Sequence, residues 1–219
     1  MASPFADTFD RVVVINLARR PDRLARFHRN LTDWPFKPPQ RFAAIDGATV
    51  SVPPVWQSGA GAWGCMLSHR AVLHSAIADG VSSLLVLEDD ALPVPGFAGV
   101  AGDFIKRVPA DWDCLMLGAE HLQPPAAVSA AIVRCTISIR CHAYALRRRM
   151  MPTLLQFWNN TTNDHCDLVL ASLMGHFKCY SPDPLLFGQD AGYSDIAGRT
   201  ERVRFVTPTH LNSLVTRAA

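Results

Sequence analysis

Apolar and polar positions alternate along the chain in blocks whose length separates strands from helices. Residues 12–17 (VVVINL) form a short apolar run, the pattern of a strand buried on both faces. Residues 84–87 (LLVL) and 114–117 (CLML) repeat it. Between these runs the period becomes helical. Residues 21–31 open with Pro21, which suits a first helical turn, and bring Leu24, Phe27 and Leu31 to one side. Further helices are predicted over residues 64–79, 147–158 and 164–174, and the alternation of residues 132–139 suggests a strand at a sheet edge. Pro and Gly mark connections at 35–39, 47–61, 93–99, 124–125 and 182–184. Strands separated by helices predict an α/β fold, with a mostly parallel sheet covered by helices on both faces. Ligands of such sheets lie beyond the carboxyl ends of the strands, so the strand ends are where chemistry is expected.

The chain's 219 residues suit one sizeable core, read as a single domain whose first half (11–118) carries the strand-end motifs, followed by a second half (119–198) and a tail (199–219). A hydrophobic content of 49% against 18% charged residues excludes a disordered chain. The net charge of +2 leaves no electrostatic footprint for a dedicated nucleic-acid binder. No stretch approaches the roughly 20 apolar residues of a membrane span. The first residues lack the order of a signal peptide, which predicts a cytoplasmic location. The six cysteines then read as reduced core thiols, and the sequons at Asn30 and Asn160 as chance matches. The neighbouring pairs Cys141-His142 and His165-Cys166, and His176 with Cys179, lack the tight ligand pairs of structural zinc sites.

Three strand or helix ends carry candidate chemistry. The second apolar strand runs into Glu88-Asp89-Asp90, three carboxylates directly after four aliphatics. Packed acids raise one another's pKa unless a cation compensates, and a hard ion such as Mn²⁺ or Mg²⁺ prefers oxygen ligands. The competing reading is a solvated acidic turn. The first strand runs into Asn16 and then Arg19, Arg20 and Arg23 around a helix start, where backbone N–H groups already favour anions. A nucleotide diphosphate would satisfy that cluster, and so would Asp22 on a solvated helix. Arg147-Arg148-Arg149 is a weaker candidate, read first as a solvated basic cap. In the third motif, GCMLSHR, His69 falls in the middle of an apolar arc with Cys65, Val72, Leu73, Ala76 and Ile77. It points toward the core, one turn from the expected helix start, either as a satisfied core histidine or as a group facing the site. No glycine-rich dinucleotide or P-loop pattern occurs.

The ordered motifs VVVINLARRPDR, AIDG (44–47), GCMLSHRAVL and LLVLEDDA resemble those of glycosyltransferase family 25, which includes bacterial lipopolysaccharide and procollagen galactosyltransferases. The likeness runs on through CHAYALRRRMMPTLL, CDLVL and PDPLLFGQDAGYSDI. It implies a GT-A-like fold, a UDP-sugar donor, Mn²⁺ or Mg²⁺, and a glycan or lipid-linked saccharide acceptor. By that resemblance Asp90 is the expected metal ligand with Glu88 beside it. Glu88 and Asp89 would hold ribose or metal-bound water, and Asn16, Asp46, Ser68 and His69 would border the donor. An inverting transfer needs a base on the acceptor hydroxyl. Asp167 is the expected base, placed inward on a helix capped by Asp164, with Asp190 as the alternative and Gln189 near the donor. The arginines at 199, 202, 204 and 217 could touch an anionic membrane surface. A metal-dependent phosphohydrolase and a non-catalytic nucleotide-sugar binder are the rival readings of the same acids.

Overall fold

A computed structural model describes residues 3–196 and 198–203. In chain order the elements are β1 (Arg11–Asn16), α1 (Pro21–Asn30), β2 (Gln40–Ala43), α2 (Gly59–Ala78), β3 (Ser83–Glu88), β4 (Ala91–Pro93) and α3 (Phe97–Arg107). They continue with β5 (Cys114–His121), β6 (Ala126–Ser129), β7 (Ile132–Arg134), β8 (Ser138–Arg147), α4 (Met151–Asn160) and α5 (Cys166–Ser172). The last are β9 (Cys179–Pro182), β10 (Phe187–Gln189), β11 (Gly192–Ser194) and β12 (Arg199–Glu201).

The main sheet has eight strands in the order β2-β1-β3-β8-β5-β9-β7-β6. β1 runs parallel to β2 and β3, and β5 runs parallel to β9. The side-chain period of two then splits each strand between two cores. Val13 and Ile15 of β1, with Leu84 and Val86 of β3, pack beneath α2, α4 and α5 against Met66, Leu73, Leu154, Trp158 and Leu170. Val12, Val14, Leu85 and Leu87 face the other way, onto Phe27 of α1 and Phe97, Ala101 and Phe104 of α3. Helices therefore cover both faces, as the apolar runs predict.

Three local expectations change. The segment expected at a sheet edge is interrupted after β7, and the long strand that follows, β8, runs antiparallel between β3 and β5 in the middle of the sheet. Its Ala143 and Ala145 face one core, while Tyr144 and Leu146 face the other. Helix α2 begins at Gly59 rather than Gly64, because Gly59, Ala60, Gly61 and Ala62 can wind tightly beneath the neighbouring loop. Helix α5 is capped by His165, while Asp164 bonds the Thr161 hydroxyl instead, so Asp167 is the second helical residue. The arginine triplet is exposed just ahead of α4, as the solvated reading expects, with two of its members anchored to the fold. Arg149 grips the buried Asp113 through Nε and Nη2 at 2.6 Å each, and Arg147 stacks on Trp112 at 4.5 Å.

The loop bearing Asp46 and Gly47 lies directly on α2. A side chain on Gly64 would place its Cβ 2.5 Å from the Gly47 nitrogen and 2.6 Å from the Ile45 oxygen, both backbone atoms that cannot step aside. Gly47 presses equally hard on the Ala60 carbonyl. Ser68 closes the contact: its hydroxyl accepts from Ile45 N at 2.8 Å and donates to Gly64 O at 2.7 Å. The AIDG and GCMLSH motifs are thus two halves of one close approach. Gly64→Ala should cost about 2 kcal/mol or more through overpacking. Urea unfolding followed by circular dichroism reads that loss, and an unchanged midpoint would mean the contact is slack.

Candidate active site

The acid triplet sits at the carboxyl end of β3 and is enclosed rather than solvated. Asp89 is only 9% exposed. Its Oδ2 accepts from Asn16 Nδ2 at 2.7 Å, and its Oδ1 from Arg23 Nε at 2.7 Å. Asn16, buried at the end of β1, also donates to the Arg20 carbonyl at 2.9 Å and accepts from Arg41 at 3.0 Å. It is a bracket tying β1, α1 and β3 together. Arg23 reaches the Asp90 carboxylate as well, at 3.2 Å from Oδ2. Asp90 Oδ1 is buried and has no hydrogen-bond partner among the described residues. Burial first, then the charge of Glu88, push the Asp90 carboxyl above the ordinary range. Such a cluster is what an added cation would relieve.

Glu88 turns the other way. Its Oε1 lies 3.1 Å from His69 Nε2, and His69 Nδ1 lies 2.8 Å from the Tyr144 hydroxyl. Burial opposes a charge on the imidazole, but Cys65 and Glu88 outweigh it and hold the His69 pKa above its ordinary value. His69 points inward as expected. Because α2 starts earlier, it stands ten residues into the helix, and its access to the site comes through Glu88 instead of through the helix end.

The arginine turn is charge-compensated by the protein itself. Arg19 bonds Asp46 and Asp195 at 2.6 Å each, and Arg20 bonds Asp195 at 2.7 Å and Asp22 at 3.1 Å. Asp46 also accepts from Ala48 N and so fixes its own loop. Arg19 remains 50% exposed and can exchange partners. Ser68 has both hydroxyl roles filled by backbone and serves as a strut.

Two adjoining cavities meet at Glu88 and Asp90. One, of about 110 Å³, is bordered by Leu17, Arg19, Asp46, His69, Glu88 and Asp90. The other, of about 320 Å³, is bordered by Asp90, Arg140, His142, Asp167 and Asp190 among others. Of the expected site residues, all but Asn16 and Arg20 border one of the two cavities, and those two reach the lining through Asp89 and Asp195. Asp167 accepts from Arg140 N at 3.0 Å and Leu168 N at 2.9 Å. That bond holds Arg140 at φ 78°, a left-handed conformation costly outside glycine. Asp190 is ion-paired to Arg26 at 2.9 Å, and its backbone N donates to the Asp90 carbonyl at 2.7 Å. Gln189 borders the wider cavity. Arg199 and Arg202 border it too, since residues 199–201 pair with β11 rather than starting a tail. Arg204 and Arg217 lie outside the described residues.

Sequence reasoning missed Asp195, Arg26 and His142. Only the YSDI segment of the family likeness hinted at Asp195. His142 is 4% exposed, with its ring laid on Gly118, where any Cβ would collide with it. Neither ring nitrogen makes a well-formed hydrogen bond. Burial depresses its pKa to about 4, although Glu88 and the Phe187 backbone favour the charged form.

The model of the family described as Glycosyltransferase family 25 (LPS biosynthesis protein) matches residues 9–123, which is 115 of the 219 residues. The chain belongs to glycosyltransferase family 25, and its α/β architecture is of the GT-A-like class that membership implies. Among curated relatives, the human inactive glycosyltransferase 25 family member 3 is 30% identical over 164 residues, covering 64% of this chain and 27% of that one. The procollagen galactosyltransferase 1 of Danio rerio is 28% identical over 135 residues, covering 52% and 22%. The chain thus spans less than a third of the length of these relatives. A solved glycosyltransferase involved in glycosylation of the major capsid of PBCV-1 aligns with a TM-score of 0.38 and 8% identity, covering 69% of this chain and 67% of that one. No helix among the described residues is long and apolar enough to cross a membrane.

Two outcomes test this electrostatic frame. Arg23→Met strands Asp89 and Asp90 beside each other and should cost about 3–5 kcal/mol in chemical denaturation. A loss within error of zero would show that the acids do not depend on Arg23. His142 gives a pH signature. Below about pH 6.5 the unfolded chain takes up a proton at this histidine that the folded chain refuses until about pH 4. Its contribution, roughly 3 kcal/mol, is present above pH 6.5 and lost as the pH falls through that window. His142→Gln should flatten the stability–pH curve between those values; a curve parallel to the parent's would refute the assignment.

Proposed function

We propose that the chain is a metal-dependent glycosyltransferase that moves a hexose, galactose or glucose, from a UDP-sugar to a hydroxyl of a glycan acceptor such as lipopolysaccharide or a lipid-linked saccharide, with inversion. The observation that carries the reading is the buried, unpartnered Asp90 Oδ1 at the junction of the two cavities, among three carboxylates. An oxygen-only donor set fits Mn²⁺ or Mg²⁺, which keep several coordination positions for water and phosphate oxygens. Asp90, with Glu88, would hold that ion. When bound, it would neutralise charge on the diphosphate leaving group.

The narrower cavity suits the diphosphate end of the donor. Arg19 and Arg20 would receive it by exchanging the carboxylates of Asp46 and Asp195 for phosphate oxygens, a swap of like partners that costs little desolvation. Arg23 keeps Asp89 and Asp90 in register throughout. Asn16 orients Asp89, which is thereby free to accept from a ribose hydroxyl only through its remaining lone pairs. The acceptor enters from the wider cavity. Its hydroxyl proton passes to Asp167, whose carboxylate is held by backbone N–H groups, whereas Asp190 is committed to Arg26. A single in-line displacement with one positioned base then gives inversion.

The names of mammalian relatives as inactive favour a second reading, nucleotide-sugar binding without transfer. One assay separates the two: UDP release from a panel of UDP-hexoses with saccharide acceptors, with Mn²⁺ or with EDTA. Transfer predicts turnover with one donor, falling to background in EDTA and in Asp90→Ala, and at least about a hundredfold lower in Asp167→Asn, the size expected of a lost general base. Activity that survives EDTA removes the metal from the proposal. UDP binding by calorimetry with no turnover on any acceptor would favour the binding protein.

A further inference from the structure

Beside the oxygen-rich cluster lies a second group of possible ligands with the opposite chemical character. Cys65 and His69 stand one turn apart on the same face of α2. Cys166, the first residue of α5, meets them from 101 positions away in sequence. The Trp158 indole donates to the Cys166 carbonyl at 2.9 Å and fixes that residue against α4. One ligand atom from each of Cys65, His69 and Cys166 lies within 4.8 Å of the others. We propose that these three residues form a binding site for a thiophilic divalent cation, Zn²⁺ being the type, in the wall between the two cavities and separate from the Asp90 site.

The two sulfurs are 3.9 Å apart. A tetrahedral zinc ion with thiolates at about 2.3 Å places them about 3.8 Å apart, so this edge of the tetrahedron is already set. A disulfide needs about 2.05 Å, far inside the observed separation. Two thiols and an imidazole select zinc over Mn²⁺ or Mg²⁺, which take oxygen. The imidazole is also braced as metal-bound histidines are. Tyr144 and Glu88 occupy its ring nitrogens, so one can keep its hydrogen bond while the other turns to the metal. Cys65 and Cys166 both border the wider cavity, which gives the ion an entry path and an open fourth position.

A second thiol cluster in the protein shows what is absent without this arrangement. Cys114, Cys135 and Cys179 also neighbour one another in the core, but no histidine joins them in a ligand-distance group among the described residues. In the proposed site, contact with Cys166 pushes the Cys65 thiol pKa up, contact with Cys141 does the same for Cys166, and burial adds to both, so the free thiols are protonated. Metal entry would therefore release protons and exchange the His69–Glu88 contact for a metal bond. The site is independent of the transfer reading, yet it shares Glu88's partner with it.

The whole chain, reduced and stripped with a chelator, is titrated with Co²⁺ and then Zn²⁺. The expected result is thiolate-to-cobalt charge-transfer absorption that saturates at one-to-one stoichiometry and is erased by Zn²⁺. Cys166→Ser and Cys65→Ala, each checked for native circular dichroism, should abolish the band, while Asp90→Asn and Cys114→Ser leave it. Tyr144→Phe should weaken cobalt affinity by about tenfold or more. Absence of the charge-transfer band in the parent, its persistence in both Cys65→Ala and Cys166→Ser, or its loss only in Cys114→Ser or Asp90→Asn overturns the site.

Discussion

Arg23 stands in the first turn of α1, where a positive charge is disfavoured by the helix itself, and is held there by two carboxylates from the end of β3. The arrangement is mutual. Without the guanidinium, Asp89 and Asp90 would face each other in an enclosed space, and without them the guanidinium would be buried beside exposed backbone N–H groups. Asn16 completes the joint from β1. The neighbouring parallel strands β1 and β3 and the start of α1 are thus locked by polar contacts at the edge where the apolar packing stops. The residual excess of acid, centred on Asp90, is what a bound cation would offset in the proposed reading.

Around that joint the loops are set by steric contact rather than by charge. Gly47 and Gly64 let two backbones touch, and Ser68 bonds across the contact. The Asp46 carboxylate is thereby delivered to Arg19. On the far side, β8 enters the sheet beside β3, carrying Arg140, Cys141 and His142 to the same edge. The carboxylate oxygens of the acid cluster and the sulfur and nitrogen atoms of Cys65, Cys166 and His69 end up close together, with the Glu88–His69 contact as the boundary.

Much of this was legible along the chain because period reports burial. The run 84–87 has no polar interruption and the run 12–17 only Asn16, and both fall on strands buried on both faces. Pro21 marks the start of α1 to the residue, and the arc around His69 correctly points it inward. The acids at 88–90 stood out because carboxylates rarely follow four aliphatics. Less was legible where small residues rule. Residues 59–61 read as loop because two glycines follow a Pro- and Gly-rich stretch, yet their smallness is what lets α2 start beneath the Gly47 loop. β8 was hidden because Ala143 and Ala145 are weak strand formers; their size matters only when β3 and β5 flank them. Asp195 was hinted at only by the YSDI segment and Cys166 only through the His165-Cys166 pair, since Arg19 and Cys65, which they meet, lie more than a hundred positions away. The expected cap at Asp164 failed because Thr161 offers it a nearer hydroxyl.

The central place of β8 has a bearing on how the molecule assembles during synthesis. β3 and β5 leave the ribosome well before the strand that joins them, and the family-matched stretch ends at residue 123, ahead of β8. Until residue 147 emerges, two long apolar strands expose unpaired edges. Pairing across such sequence separation is slow and prone to edge-to-edge aggregation. Residues 9–123 on their own would thus leave the facing edges of β3 and β5 unpaired, and it is β8 that completes the sheet across them.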